Sequence, residues 1–257
     1  LVASQQWPGI YWTFNDSKNT PTLYAIDMDG RPRGTFQVPN ASNVDWEAMQ
    51  LGRDDDGGYA LYIGDVGDNR AARSESVIYR VPEPTPAPAE GPVTAGLTAP
   101  ATALRFTYWV SPRNVEAMVV HPVTGEIALI SRGLGSFGLV YGFPRPPTAE
   151  SPPVAELTSV IDAQVLGLIN EETTDATISP DGRHIVVRTY AHALVYDVPD
   201  DTPLGRIWSQ KPRVYQLQDG PKGEGLTFRP NSLDLVTIGE GAYPSLYLTE
   251  WSCSSAE

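Results

Sequence analysis

One short pattern recurs along this chain and limits what it can fold into. Asp45-Trp46-Glu47-Ala48-Met49 is echoed by Glu116-Ala117-Met118 before Val119-Val120, by Asp175-Ala176-Thr177 before Ile178, and by Glu224-Gly225-Leu226 before Thr227-Phe228. Each copy is a carboxylate, a small residue and then a strand of mostly apolar side chains. By subtraction of their numbers, Glu47, Glu116, Asp175 and Glu224 stand about 69, 59 and 49 residues apart. Periods of this size, each holding several short strands, are the signature of propeller blades. An acid opening every innermost strand sets a circle of carboxylates around one axis.

The rest of the chain fits that frame. Short apolar or alternating runs such as Ile10–Phe14, Tyr59–Ile63, Ser76–Val81, Ala103–Tyr108 and His184–Thr189 are separated by turn chemistry: Asp29-Gly30, Asp54-Asp55-Asp56-Gly57-Gly58 and Ser179-Pro180-Asp181-Gly182. No long stretch has helical periodicity. The 23 glycines and 24 prolines punctuate the whole length, which favours many strands and turns. The expected fold is an all-β, five-bladed propeller spanning 1–257 as one domain, with blades of up to four antiparallel strands. Six blades are possible if the long second unit hides another. Residues 82–100, rich in Pro, Ala and Thr, read as a surface loop reaching the outer strand of their own blade. Leu1-Val2-Ala3 matches Leu226-Thr227-Phe228, so the pattern is expected to continue upstream. The fifth unit lacks an outer strand, which an N-terminal segment would supply, hiding a sheet edge.

Strand direction predicts which residues meet. The loop entering strand one and the loop after strand two lie on the same face of a propeller. The first set contains Asp45, Glu47, Asn114, Glu116, Asp175 and Glu224, expected to line the axis. The second contains Asn15, Asp16, Asp65, Asp68, Asn69, Arg132, Arg188 and Glu240, expected around it. Carboxylates crowded at one mouth either hold protons or share a cation. Ca²⁺ suits Glu47, Glu116, Asp175 and Glu224 best, because it accepts six to eight oxygens in flexible geometry; Mg²⁺ fits less well. The competing reading makes these acids strand caps that accept backbone N–H groups from adjacent blades. Gly64-Asp65-Val66-Gly67-Asp68-Asn69 is either a second ligand group or a turn whose acids bond the local backbone or pair with Arg70 or Arg73. Arg132 and Arg188 either orient an anionic substrate or pair with an acid. Trp12, Trp46 and Tyr190 either flank a pocket or fill the space between blades.

Charge narrows the partners. The net charge of −13 repels a phosphate backbone and an anionic membrane surface, so neither nucleic acid nor membrane insertion is expected. Cys253 is the single cysteine, which excludes an internal disulfide and Cys-rich metal sites. His121, His184 and His192 lack zinc-ligand spacing. No Gly-x-Ser-x-Gly occurs, and Gly133-Leu134-Gly135-Ser136-Phe137-Gly138 has no helix after it to bind phosphate. Asn15-Asp16-Ser17 and Asn40-Ala41-Ser42 match glycosylation sequons, of consequence only in a eukaryotic secretory host.

At Asn15-Asp16-Ser17, Asp45-Trp46-Glu47, Gly64-Asp65-Val66-Gly67-Asp68-Asn69, Asn114-Val115-Glu116-Ala117 and Ser179-Pro180-Asp181-Gly182-Arg183, the chain resembles a group of exported bacterial propeller-like proteins of no assigned activity. The resemblance spans nearly the whole chain. The chain is more distantly similar to calcium-dependent lactonase, strictosidine-synthase-like and phytase-like propellers, which implies a metal or active site at the axis or on one face. It has no residue-by-residue match to their catalytic sets. Residues and resemblance together give the expectation of a secreted or periplasmic, monomeric Ca²⁺-binding propeller with a small-molecule or glycan ligand on the axial face. As a metal-dependent hydrolase of lactones or phosphate esters, it would use Glu47, Glu116, Asp175 and Glu224 for the metal, Asp65 or Asp68 as base, and Arg188 to orient substrate. Its rivals are a non-catalytic glycan, peptide or protein binder with a structural metal, and a glycoside hydrolase or lyase using paired carboxylates.

Overall fold

The structure is a computed structural model that describes residues 1–109, 114–133, 137–217, 223–241 and 244–251. Cys253 and Leu134-Gly135-Ser136 of the glycine-rich stretch lie outside the described residues.

Five antiparallel meanders follow one another along the chain. The first holds β1 (Val2–Ala3), β2 (Ile10–Phe14), β3 (Thr22–Asp27) and β4 (Pro32–Gln37). The second holds β5 (Trp46–Arg53), β6 (Tyr59–Asp65) and β7 (Ser76–Pro82), then leaves through β8 (Thr94–Leu97) and returns as β9 (Thr102–Tyr108). The third is β10 (Val115–Val120), β11 (Ile127–Ser131), β12 (Phe137–Gly142) and β13 (Val154–Asp162). The fourth is β14 (Thr173–Ile178), β15 (His184–Thr189), β16 (His192–Asp197) and β17 (Arg213–Gln216). The fifth is β18 (Gly223–Phe228), β19 (Leu235–Gly239) and β20 (Leu246–Thr249). The opening strands β1, β5, β10, β14 and β18 neighbour one another in cyclic order. The chain is therefore an all-β propeller, and each opening strand lies on the axis.

Position on the axis explains the composition of those strands. β10 and β14 are buried at every residue, because a neighbouring blade covers each face; β10 is mostly apolar, whereas β14 buries the polar Thr173, Thr174, Asp175 and Thr177. The core lies between blades. Trp12 and Phe36 of the first pack with Met49, Leu61 and Ile63 of the second, while Ala117 and Val119 of the third meet Ile185 and Val187 of the fourth. Trp12 and Trp46 are fully buried in this packing, so they are inter-blade core.

The proline-rich excursion does more than reach its own outer strand. β8 pairs in parallel with β4, from Gly34↔Thr94 to Gln37↔Leu97. The Arg33 guanidinium donates to the Ala87 carbonyl at 2.6 Å, and the Ala87 N–H donates to the Arg33 carbonyl at 2.7 Å. The second unit thus covers the edge of the first blade, where unpaired backbone would otherwise face water. A second parallel pair, Val154↔Thr107 and Ala155↔Tyr108, joins β13 to β9 and fuses the second and third blades into one eight-stranded sheet.

Candidate functional site

The repeated acid sits on a repeated bulge. In β5, Trp46 pairs with Asp65 and Ala48 with Gly64, leaving Glu47 as the extra residue. Glu116 is the extra residue of β10 and Glu224 that of β18. A bulged residue has no partner across the ladder, and the local twist re-aims its side chain. All three line one open funnel of about 1480 Å³ at the axial mouth. In β14 the bulge falls on Thr174, and Asp175 pairs with Arg188. Asp175 is therefore one residue out of step with the other three acids in register, although it lines the same funnel beside Thr174. Sequence spacing treated the four as equivalent; the register corrects this.

Each acid has a different environment. Asp175 accepts the N–H of Ala176 at 2.8 Å and, across the seam to the fifth blade, that of Leu226 at 2.7 Å. Burial pushes its pKa up to about 6, against these two bonds. It is a cap that ties two blades. Glu47 and Glu116 line the funnel close enough to act on each other, and both are held above the ordinary glutamate range, first by burial. Glu116 also accepts from Asn114 Nδ2 at 2.6 Å and Arg132 at 3.2 Å. Glu224 stands apart from this pair; burial, then the charges of Glu116 and Glu240, push it up to about 7.

Among the described residues, one group of acids converges as cation ligands do. Asp16, Asp45 and Glu47 bring one carboxylate oxygen each to within 4.8 Å of one another. Asn43 fixes the loop that carries Asp16: its Nδ2 donates to the carbonyls of Asn15 and Asp16 at 2.9 and 3.0 Å, while its Oδ1 accepts the Trp46 N–H at 3.2 Å. Of the four expected ligands, only Glu47 belongs to this group.

Gly64-Asp65-Val66-Gly67-Asp68-Asn69 is the scaffold behind it. Asp65, 1% exposed, accepts the N–H groups of Val44 and Asp45 and pairs with Arg73 at 2.7 Å. Asp68 accepts the N–H groups of Ala72 and Arg73, both at 2.9 Å. Its own N–H donates to Asn114 Oδ1 at 2.6 Å. Gly67 leaves room for the trio: a Cβ there would crowd the Asp45 carboxylate and stand 2.8 Å from Glu47 Cγ. Asp65 and Asp68 do not line the funnel, and their acceptor positions are taken by the loop they hold.

The two arginines separate in the same way. Arg188 is fully buried on β15 with its guanidinium against the Gly223 backbone, away from the funnel. Arg132 lines the funnel and is the only lysine or arginine among the described lining residues. It is anchored on Glu172 at 2.7 Å, on Glu116 and on the Tyr190 hydroxyl. Asn15, Asn69, Tyr190 and Glu240 share the funnel wall, as expected for the axial face. Asp16 was placed in the outer circle by topology, but its convergence with Asp45 and Glu47 depends on Asn43 folding the loop inward. The signal available in sequence was the motif Asn43-Val44-Asp45-Trp46-Glu47 following Asn15-Asp16. Below the funnel, Gln50 Nε2 donates to the Ala176 carbonyl at 2.6 Å, bridging β5 to β14 across the axis.

No family model matches the chain, and no curated protein matches it. Solved structures show where the fold belongs. The PQQ-bound aldose sugar dehydrogenase of Streptomyces coelicolor aligns over 97% of this chain and 92% of its own, with a TM-score of 0.53 and 9% identity. The Cps50 (Swd1) β-propeller domain of Myceliophteria thermophila covers 91% and 68%, with a TM-score of 0.43 and 10% identity. The Dos1 propeller covers 90% and 62%, with a TM-score of 0.37 and 14% identity. At these identities the likeness to the dehydrogenase is one of fold: the chain is a β-propeller.

Proposed function

We propose that residues 1–257 form one propeller domain whose funnel binds a divalent cation through Asp16, Asp45 and Glu47. The carrying observation is the convergence of three carboxylates within 4.8 Å in a wide polar funnel. Three carboxylates offer up to six hard oxygens, which suits Ca²⁺ in its flexible geometry better than Mg²⁺ in its strict octahedron. Asp16 lies on an exposed loop, and sites of modest rigidity match the calcium levels outside cells. This accords with a secreted or periplasmic monomer. The funnel is far larger than one ion, so the cation shares it with a small-molecule or glycan ligand. Neither nucleic acid nor membrane insertion has a place in this reading.

A second reading makes the cation catalytic, polarising the carbonyl or phosphoryl oxygen of a lactone or phosphate ester. Glu224 favours it. It lines the same funnel, with a pKa pushed up to about 7 by burial, and such a carboxylate accepts a proton from water near neutral pH. Glu224 takes the role of base that Asp65 or Asp68 was expected to fill. A paired-carboxylate glycosidase gains no support from Glu47 and Glu116. The proton on each depends on the other, whereas such pairs stand about 5 Å or more apart with separate acid and base roles.

Calorimetric titration of Ca²⁺ into chelator-treated protein tests the site. One ion, with affinity at least about tenfold weaker in Asp45→Asn and Asp16→Asn and retained in Glu224→Gln, is the expected result. Absence of binding heat, with no melting shift on chelation, defeats the proposal. Equal losses in Glu224→Gln and Asp45→Asn would move the ion to the centre of the axis.

A further inference from the structure

One wall of the funnel is apolar. Ile26 and Met28 of the first blade pack with Ile238 and Leu246 of the fifth over the seam between those blades. Each of the four keeps part of its surface open to the funnel. Two carboxylates border this patch. Glu224 leaves β18 beside Gly225, and Gly225 lies directly against Ile238. Glu240 directly follows the end of β19 and lines the funnel with Ile238. Glu240 is close enough for its charge to act on Glu224. Arg132 lines the same funnel and offsets part of the Glu224 charge, while its direct partners are Glu116 and Glu172.

Three kinds of ligand meet this wall differently. An inorganic cation gains from the carboxylates and nothing from the patch. A neutral apolar molecule gains from the patch alone, and an apolar anion is repelled. Only an amphiphilic cation satisfies both. We propose that this wall is a subsite for an alkylammonium ligand, with the ammonium on Glu224 and Glu240 and the alkyl body across Ile26, Met28, Ile238 and Leu246. The subsite uses none of Asp16, Asp45 and Glu47, so it stands independently of the divalent-cation reading.

The test titrates n-hexylammonium into the full chain in chelator at constant ionic strength, with n-hexanol and n-hexanoate as neutral and anionic controls. Hexylammonium is expected to bind about tenfold more tightly than hexanol, and hexanoate not at all. Affinity should rise by up to about fourfold per methylene from butyl to hexyl. Glu224→Gln combined with Glu240→Gln should bring hexylammonium down to the level of hexanol. Met28→Ser and, independently, Leu246→Ser should flatten the chain-length dependence, each read only where circular dichroism and melting show a folded protein. Equal binding of hexanol and hexylammonium overturns the proposal. So does a loss of hexylammonium binding in Asp45→Asn with none in the Glu224/Glu240 double variant. Persistence of hexylammonium binding in a protein that takes up no Ca²⁺ would remove the cation reading and leave this one standing.

Discussion

Glu47 and Glu116 occupy the same bulge position on adjacent inner strands, and their carboxyl groups meet across the seam between the second and third blades. Two neighbouring, largely buried carboxylates retain a proton that the unfolded chain has already released. Their pKa values are raised above the ordinary 4.5. Between pH 4.5 and the folded value, the native state therefore binds more protons than the unfolded state, and stability falls as pH rises. Glu47→Gln removes the need for that proton. Its melting temperature, relative to wild type, is expected to climb from pH 5 toward neutrality by roughly a few degrees. A difference that stays constant with pH would show that the pair holds no extra proton. Ca²⁺ must displace a proton from Glu47, so its melting shift should grow over the same range.

Gly67 bears on the cation site without touching a cation. Its missing Cβ is the space used by Asp45 and Glu47. Gly67→Ala should weaken Ca²⁺ binding about tenfold or more while every ligand remains in place. A substitution that lowers stability and leaves calcium affinity unchanged would show that Asp45 and Glu47 need no such space.

Asp65 holds the Asp45 loop from behind. Asp65→Asn removes its buried pairing with Arg73 and one acceptor for the N–H groups of Val44 and Asp45. Arg73 keeps some solvent contact, so the loss should be near 2 kcal/mol, read as a melting temperature lower by roughly 4–8 °C. If Asp65 were instead a proton acceptor for catalysis, the variant would lose turnover and keep its melting temperature.

Asp175 answers a different question, that of how the blades are joined. Asp175→Ala leaves the buried N–H groups of Ala176 and Leu226 without an acceptor, a cost of roughly 1–3 kcal/mol each before the relief of removing a buried carboxylate. Asp175→Asn keeps one acceptor and no charge. It should be the milder change, and its relative stability should improve as pH rises through about 6. Equal melting curves for the two variants would show that the bonds across the seam carry no net stability.

The architecture was largely legible because strand runs and turn residues alternate in fixed units. Val115–Val120 reads as an inner strand from the apolar run Ala117–Val120 after Glu116, and Asp29-Gly30 marks a turn in which Gly30 has φ +73°. The excursion through Thr94–Leu97 was hidden because its pairing with Gly34–Gln37 is long-range, and four unremarkable residues carry no sign of a distant partner. The site was half legible. Spacing brought Glu47, Glu116, Asp175 and Glu224 to one mouth, but the one-residue register change that leaves Asp175 paired in the ladder is invisible when Thr174 and Asp175 adjoin. For Asp65 and Asp68 the sequence left both a ligand group and a backbone-bonded turn open, because local composition does not reveal which carboxylates are already satisfied by backbone N–H groups; the structure has the turn.

The bulge has a consequence for how such a protein changes over time. A residue that pairs with nothing across the ladder can be exchanged with little disturbance to the pleat around it. The fourth blade already carries Thr174 where its neighbours carry glutamate. In four blades one position at the mouth is thus uncoupled from the folding of the blade. A new specificity is open to single substitutions that leave the scaffold as it was.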